Sequence, residues 1–438
     1  MAESRSLDEL SSIVQRSLST INGALKEKGL PQPSFAHGGP TTFTLPDGLD
    51  QARTEALEAI DEIQALLRGP IDYLFYRGIL AALEIGTWDL LTQFSVPQHL
   101  GADETLSYAE LAQRAGLPED DTRRIVRGAL SLRVFEAVLP PSGDGGEEKV
   151  RHNALSWTLA TVPEAASFLR LVSHATDAAR HAAEVLRKWP EGPTAPSGAD
   201  ASQCGFALAH GGRGLFDWAR DHPDAETDFK SAMTMQSLAP GFAVSVAAEA
   251  AALDADGKQV PETIVDVGGS AGTLAKAFLR RYPGIRSAVV QDLPGVVATS
   301  RQAGVEPEFA GRLRFAPYDF FQDQPVHGAD AYLFRTILHD WSDVQAAEIL
   351  RRQVPALKPG ARLLINDFVV PSVGAHTHVR DQSPRAYDLL MRVVCNGKER
   401  SLDDWKRLFA AADPRYEIVG VRMPPQAKLS IIEVVWRG

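Results

Sequence analysis

Residues 262–272 read ETIVDVGGSAG, and TLAKAFLRRY (273–282) follows directly. A short apolar run that ends in a turn of glycines and small residues and passes into a helix is the first half of a βα unit. Four more apolar runs continue the pattern: SAVVQD (287–292), LRFAPYDF (313–320), DAYLFRTI (330–337) and ARLLIND (361–367). Helical stretches separate several of them, notably VQAAEILRRQVPAL (344–357). Wholly apolar strands alternating with helices predict a parallel sheet covered on both faces. The last stretch, YEIVGVRMPPQAKLSIIEVVWR (416–437), predicts a closing hairpin and therefore an antiparallel edge. The expected class is α/β, a doubly wound sheet, in which ligands bind beyond the carboxyl ends of the strands.

The glycine turn narrows the ligand. A dinucleotide fingerprint needs G-x-G-x-x-G. Counted from Gly268, the third and sixth positions are Ser270 and Thr273; counted from Gly269 they are Ala271 and Leu274. Both registers fail. Asp292 ends the next strand, where a carboxylate suits the vicinal hydroxyls of a ribose. A nucleoside without a pyrophosphate fits both observations.

The fourth run leads into LHDWSD (338–343). His339, placed at the end of a central strand, faces the expected crevice, and imidazole titrates near ~6.5, so it suits a general base. Asp367, ending the following strand, and Glu399, in NGKER (396–400), are acids that would orient the ring and stabilise its protonated form. The blander reading of Glu399 is a surface pair with Lys398 or Arg400. A metal site built on His339, Asp340 and Asp343 is disfavoured: adjacent residues point different ways, and no second His or Cys stands at ligand spacing.

The whole chain has 438 residues, 45 Lys+Arg against 56 Asp+Glu and a net charge of -11. That length predicts more than one domain, and the acidic balance argues against nucleic acid or anionic membrane as partner. Two cysteines, Cys204 and Cys395, are too few for a disulfide scaffold. Without a membrane-spanning run or a leader-like N-terminus, a reducing cytoplasmic location is expected.

Ahead of the sheet, Leu7, Leu10, Val14, Leu18, Ile21 and Leu25 form one stripe on a helix, started by a Ser6–Glu9 capping box. The stripe needs a partner, either its own chain or a second subunit. A second helix is expected over 49–68, ended by Gly69-Pro70, and a buried helix over 71–94. Residues 107–138, with PPSGDGGEEK after them, read as a helix-turn-helix with a wing. Five arginines and five acids there sum to zero, which weakens a DNA-binding reading. PEGPTAPSGADAS (190–202) is a loop by composition.

With these residues in view, the chain resembles the plant-type class I small-molecule O-methyltransferases of the caffeic acid O-methyltransferase kind, and within them fungal enzymes of secondary metabolism. VDVGGSAG, VQDLPGVV, LHDWSD and NGKER carry the resemblance, in order and at spacing. It implies a Rossmann-like, seven-stranded sheet that binds S-adenosyl-L-methionine, behind a mostly helical winged-helix dimerisation domain. Expected boundaries are 1–70 for N-terminal helices at a dimer contact, 71–205 for the winged-helix domain and linker, and 206–438 for the catalytic domain. The resemblance puts Gly268, Gly269, Asp292, Asp319, Phe320 and Arg335 at the cofactor, and His339, Asp367 and Glu399 in catalysis. Asp367 stands where plant relatives usually carry the longer Glu. FKSAM (229–233) matches a segment that reaches substrate.

The expected reaction is methyl transfer to a phenolic or enolic hydroxyl of a small acceptor, aromatic or polyketide-like, by a homodimer. Phe216, Trp218, Met233 and Met391 are the candidates for lining the acceptor's pocket. Two rivals remain at this point: a pericyclase or dehydratase of the same fold that binds the cofactor without methylating, and a winged-helix DNA-binding regulator.

Overall fold

A computed structural model describes residues 5–40, 43, 45–46, 48–140, 147–194, 200–257, 259–374, 378–424 and 427–438. Two compact units emerge, Met1–His174 with Asp224–Met235, and Ala175–Pro223 with Gln236–Gly438. The short helices Ala182–Lys188 and Gly205–Ala209 pack on each other, and the latter on the helix His378–Val394 of the second unit.

In the first unit, helix α1 (Leu7–Glu27) starts at Ser6, whose hydroxyl and the Glu9 carboxylate form the expected capping box. Its stripe finds its partner in its own chain: α1 packs on α2 (Asp50–Gln93), and Ile21 and Leu25 share a cluster with Leu45 and Leu49. Leu7 and Leu18 stay exposed. Helix α2 is kinked, not ended, at Gly69 (φ 68°, ψ 170°), where Pro70 cannot donate to the helical ladder. The expectation of a buried helix over 71–94 needs correction. The helix forms, but Ile71 is 87% exposed, Leu74 75% and Phe75 65%. Composition alone does not report which faces of a helix its own chain covers.

The helix-turn-helix and the strands on either side of the wing are formed. Strand β1 (Thr105–Ser107) leads into α3 (Tyr108–Ala115), which Ser107 and Glu110 cap and Gly116 ends in the left-handed region. Then come α4 (Glu119–Ser131), β2 (Glu136–Val138) and β3 (Lys149–Arg151), with β3 central in a three-stranded antiparallel sheet. Most of the wing, 141–146, lies outside the described residues. The arginines of α4 are neutralised where they stand: Arg123 by Glu119 (2.6 Å), Arg124 by Asp121 (3.1 Å) and Arg127 by Glu148 (2.7 Å).

The second unit holds the seven-stranded sheet. Its strands are β4 (Thr263–Val267), β5 (Ser287–Asp292), β6 (Leu313–Pro317), β7 (Ala331–Arg335), β8 (Arg362–Asp367), β11 (Tyr416–Arg422) and β12 (Ser430–Trp436), in spatial order β11-β12-β8-β7-β4-β5-β6. Five strands are parallel; β12 runs against β8 and pairs with the edge strand β11, the hairpin that the sequence predicts. Helices α5 (Thr273–Arg281), α6 (Asp343–Gln353), α7 (His378–Val394) and α8 (Leu402–Ala412) flank it. Two apolar clusters sandwich the sheet, one including Val265, Phe334 and Trp405, the other Ile264, Leu333 and Phe278. Side chains alternate between them along each strand, and both faces are therefore buried. A two-residue parallel ladder between β9 (Val369–Val370) and β10 (Arg400–Ser401) brings NGKER beside the end of β8. The loop expected at 190–202 is anchored nearby: Asp343 donates its backbone N–H to the Pro193 carbonyl (3.2 Å), and Asn396 its amide to that of Asp200 (2.8 Å). Residues 195–199 of the loop lie outside the described residues.

Candidate active site

The strand ends of β4, β5, β7 and β8 converge on two groups of side chains. The first surrounds the glycine turn. Gly268 and Gly272 have φ of 71° and 73°, a region costly for residues with a Cβ. Space is equally restrictive. A Cβ on Gly268 would sit 2.5 Å from Ile337 Cδ1, and one on Gly269 2.6 Å from Asp266 Cγ and 2.8 Å from Val290 Cγ1. The glycines are thus required first by the protein's own packing. Gly269→Ala is expected to cost about 1–3 kcal/mol through overpacking, measured by denaturant unfolding; an unchanged midpoint contradicts the close approach.

Asp266 lies beneath the turn and accepts the Ala275 N–H of α5 (3.1 Å). Burial pushes its carboxyl up to about 7, against that hydrogen bond and the nearby charge of Arg335. Asp292, at the end of β5, accepts the Ser270 N–H on Oδ2 (2.9 Å) and the Leu293 N–H on Oδ1 (2.8 Å), which orient its carboxylate beside the turn. Phe320 borders the same turn, with a ring carbon 3.9 Å from where a Gly268 Cβ would stand, and packs edge-on against Trp341. Asp319 accepts the Phe321 N–H (3.0 Å) and so fixes the bend after β6. Arg335 spans Asn366 Oδ1 and the Phe242 carbonyl; burial lowers its guanidinium to about 10, with Asp367 and Asp266 opposing.

The second group surrounds His339. It does not stand at the strand end itself: β7 stops at Arg335, Thr336 takes a positive φ of 48°, and His339 follows in the 3-10 turn Leu338–Asp340. The residue is 7% exposed. Nδ1 lies 2.8 Å from Glu399 Oε1, whereas the nearer oxygen of Asp367 is 3.9 Å away, and Asp340 Oδ1 lies 3.5 Å from Nε2. Of the two flanking acids expected, Glu399 engages the ring and Asp367 falls short, as its missing methylene suggests. Both Asp367 oxygens are buried without a hydrogen-bond partner, as is Glu399 Oε2.

Burial alone would disfavour the imidazolium, but Glu399, Asp340 and Asp367, together with the Nδ1 hydrogen bond, outweigh it and push His339 up to about 10. Burial raises Asp367 to about 7, the His339 charge opposing and Glu399 reinforcing. Burial also raises Asp340, to about 6. The arrangement is a strongly proton-accepting imidazole in a site carrying excess negative charge.

The acceptor-pocket candidates separate. Phe216 stacks on Trp341 (centroids 5.7 Å, 21°), two residues beyond His339. Met391 is buried one helical turn before Cys395, which lies 3.8 Å from Asp340. Trp218 joins an aromatic group with Phe206, His210 and His222. Met233 belongs to the first unit. Trp341 and Arg400 escape the residue-by-residue reading; their signal was membership of LHDWSD and NGKER, the two segments that flank His339 and Glu399.

Against known proteins, the O-methyltransferase domain family matches residues 196–413. The O-methyltransferase pyvH of Aspergillus violaceofuscus is 34% identical, with 100% of each chain covered. The chain belongs to the O-methyltransferases. The chlorophenol O-methyltransferase of Trichoderma longibrachiatum is 29% identical over 99% of this O-methyltransferase and 91% of that protein. A solved structure described as a pericyclic reaction enzyme shares the fold, with TM-score 0.72 and 21% identity over 98% of this chain and 100% of that one. The O-methyltransferase uses S-adenosyl-L-methionine, and the glycine turn with an oriented carboxylate at the next strand end fits a nucleoside. Among the described residues no helix is long and apolar enough to cross a membrane.

Proposed function

We propose that this O-methyltransferase methylates a phenolic or enolic hydroxyl of a small aromatic or polyketide-like molecule, with His339 taking the hydroxyl proton. The observation that carries the reading is the buried His339–Glu399 pair. A carboxylate on Nδ1 fixes the tautomer whose Nε2 lone pair accepts a proton. A phenol titrates near ~10, so it is a poor nucleophile at neutral pH until its proton is removed. An imidazole pushed up to about 10 matches that value, and the proton moves at little cost in free energy.

When bound, S-adenosyl-L-methionine supplies a methyl group already activated for transfer. Gly268, Gly269 and Asp292 hold the nucleoside, Phe320 and Asp319 border its base, and Arg335 orders the strand end between them. Phe216 and Met391 line the acceptor's side. Asp292→Ala is expected to weaken S-adenosylhomocysteine binding by about tenfold or more, read by calorimetry, because the carboxylate that accepts from the ribose diol is lost. Unchanged affinity contradicts the ribose assignment. The reading as a whole is tested by incubating the enzyme with S-adenosyl-L-methionine and a panel of phenols. Equal amounts of methylated product and S-adenosylhomocysteine support it. Conversion of an acceptor without S-adenosylhomocysteine would place the enzyme with the non-methylating members of the fold.

The reading includes a homodimer. Beyond the kink of α2, Ile71, Leu74, Phe75 and Leu83 follow helical spacing and are 61% to 87% exposed, an apolar face too large to leave in water. The double substitution L74E/F75E is expected to turn a sedimenting dimer into a monomer; a wild-type chain that sediments as a monomer removes this part of the reading.

A further inference from the structure

Arg400 is the one charged side chain among the described residues that is both large and fully buried, at 0% exposure, and the chemistry above does not use it. A guanidinium is buried only when its donors are met. Here Nε donates to Asp343 Oδ1 (2.9 Å), Nη1 to the Leu338 carbonyl (2.7 Å) and the Lys398 carbonyl (3.3 Å), and Nη2 to the Trp341 carbonyl (2.9 Å). Leu338 and Trp341 bracket His339, one residue before it and two after. The same segment grips the turn twice more. Lys398 N–H donates to the His339 carbonyl (2.9 Å), and a Cβ on Gly397 would lie 2.1 Å from that oxygen, so no other residue fits there.

We infer that Arg400 is a positioning residue for proton transfer: adjacent residues divide the task, Glu399 holding the imidazole and Arg400 holding the backbone that carries it. The inference rests on the reading of His339 as proton acceptor. The planar fork of Arg reaches acceptors on both sides of the turn at once; an ammonium is a point charge and cannot. Freed carbonyls let the 3-10 turn relax, and a displacement of about 1 Å at the ring costs on the order of 10²-fold in rate.

The test compares Arg400→Lys, Asp343→Asn and His339→Gln in the full chain, by kcat, its pH profile, S-adenosylhomocysteine affinity, and the downfield Nδ1–H resonance of ¹⁵N-histidine-labelled protein. Arg400→Lys is expected to lower kcat by about 10–100-fold and to move both the resonance and the acid limb of kcat, with S-adenosylhomocysteine affinity unchanged. Asp343→Asn, which takes the negative charge from one of the four acceptors, is expected to do the same in lesser degree. A merely structural Arg400 would lower thermal stability but leave the resonance and the pH profile of the folded enzyme in place, and that result overturns the inference. If Arg400→Lys does not fold, Asp343→Asn decides on the same readouts. Wild-type turnover in His339→Gln overturns the base reading instead, and the inference with it; loss there with normal Arg400→Lys overturns the inference alone.

Discussion

Replacing His339 by Gln is expected to lower kcat by about 10²–10⁴-fold while affinity for S-adenosylhomocysteine stays as it was. The separation follows from geometry. Asp292 accepts a backbone N–H of the glycine turn and Asp266 one from the helix that follows it, whereas His339 hangs from a different turn, held by Glu399. Glutamine fills much of the imidazole's volume but has no group that accepts a proton from a phenol. Wild-type kcat is expected to rise with pH through the neutral range. The sign is set by the base, which works only when neutral, and His339 is pushed up to about 10, so each step upward in pH frees more of it. His339→Gln should flatten that limb as well as lower it. Stopped assays for S-adenosylhomocysteine across pH, with calorimetry at one pH, check both; near-normal turnover in the variant would remove His339 from the chemistry.

The sheet was open to reading because buried parallel strands leave little freedom in composition. SAVVQD coincides with β5, and TIVDVG exceeds β4 by one glycine. Where the reading overran, a local cause is visible. LRFAPYDF stops at Pro317 because its partner β5 ends at Asp292, whose carbonyl accepts the last ladder bond from the Tyr318 N–H. DAYLFRTI stops at Arg335 because Thr336 takes a positive φ. Short-range rules thus place strands to within a few residues. They do not report distance. Asp367 and Glu399 read alike in sequence, and only the fold shows that the ladder between β9 and β10 carries Glu399 to the ring while β8 leaves Asp367 3.9 Å short. Arg400 reads as a surface charge in NGKER, yet it is buried, because the four oxygens that stabilise it come from residues 338, 341, 343 and 398. The stretch 71–94 fails for the opposite reason. Its apolar content is real, but which of its faces the rest of the chain covers is not a property of the helix.

Glu399→Gln and Asp367→Asn are isosteric losses of charge at the two acids, and their effects are expected to be unequal. Glu399→Gln should lower the plateau of kcat by on the order of 10² or more, since an amide can donate to Nδ1 and so stabilise the tautomer that carries its proton on Nε2, the wrong nitrogen. It should also move the acid limb to lower pH. Burial opposes the imidazolium throughout, and Glu399 is the strongest of the carboxylates that overcome it, so without its charge His339 gives up its proton sooner. A variant slower at every pH, but with its limb displaced toward acid, is a signature that simple misfolding does not produce. Asp367→Asn should lower kcat by less than about tenfold and shift the limb in the same direction by less, because Asp367 acts on the ring through charge at 3.9 Å and makes no hydrogen bond to it. Its carboxyl is already raised to about 7 and is partly neutral near pH 7, so the Asn variant removes only part of a charge there. Parallel pH profiles of the two variants distinguish a His–Glu pair from a three-member arrangement. Equal losses at both positions would show that Asp367 closes its gap when substrate is bound, and the apparent shortfall of one methylene would then have no catalytic consequence.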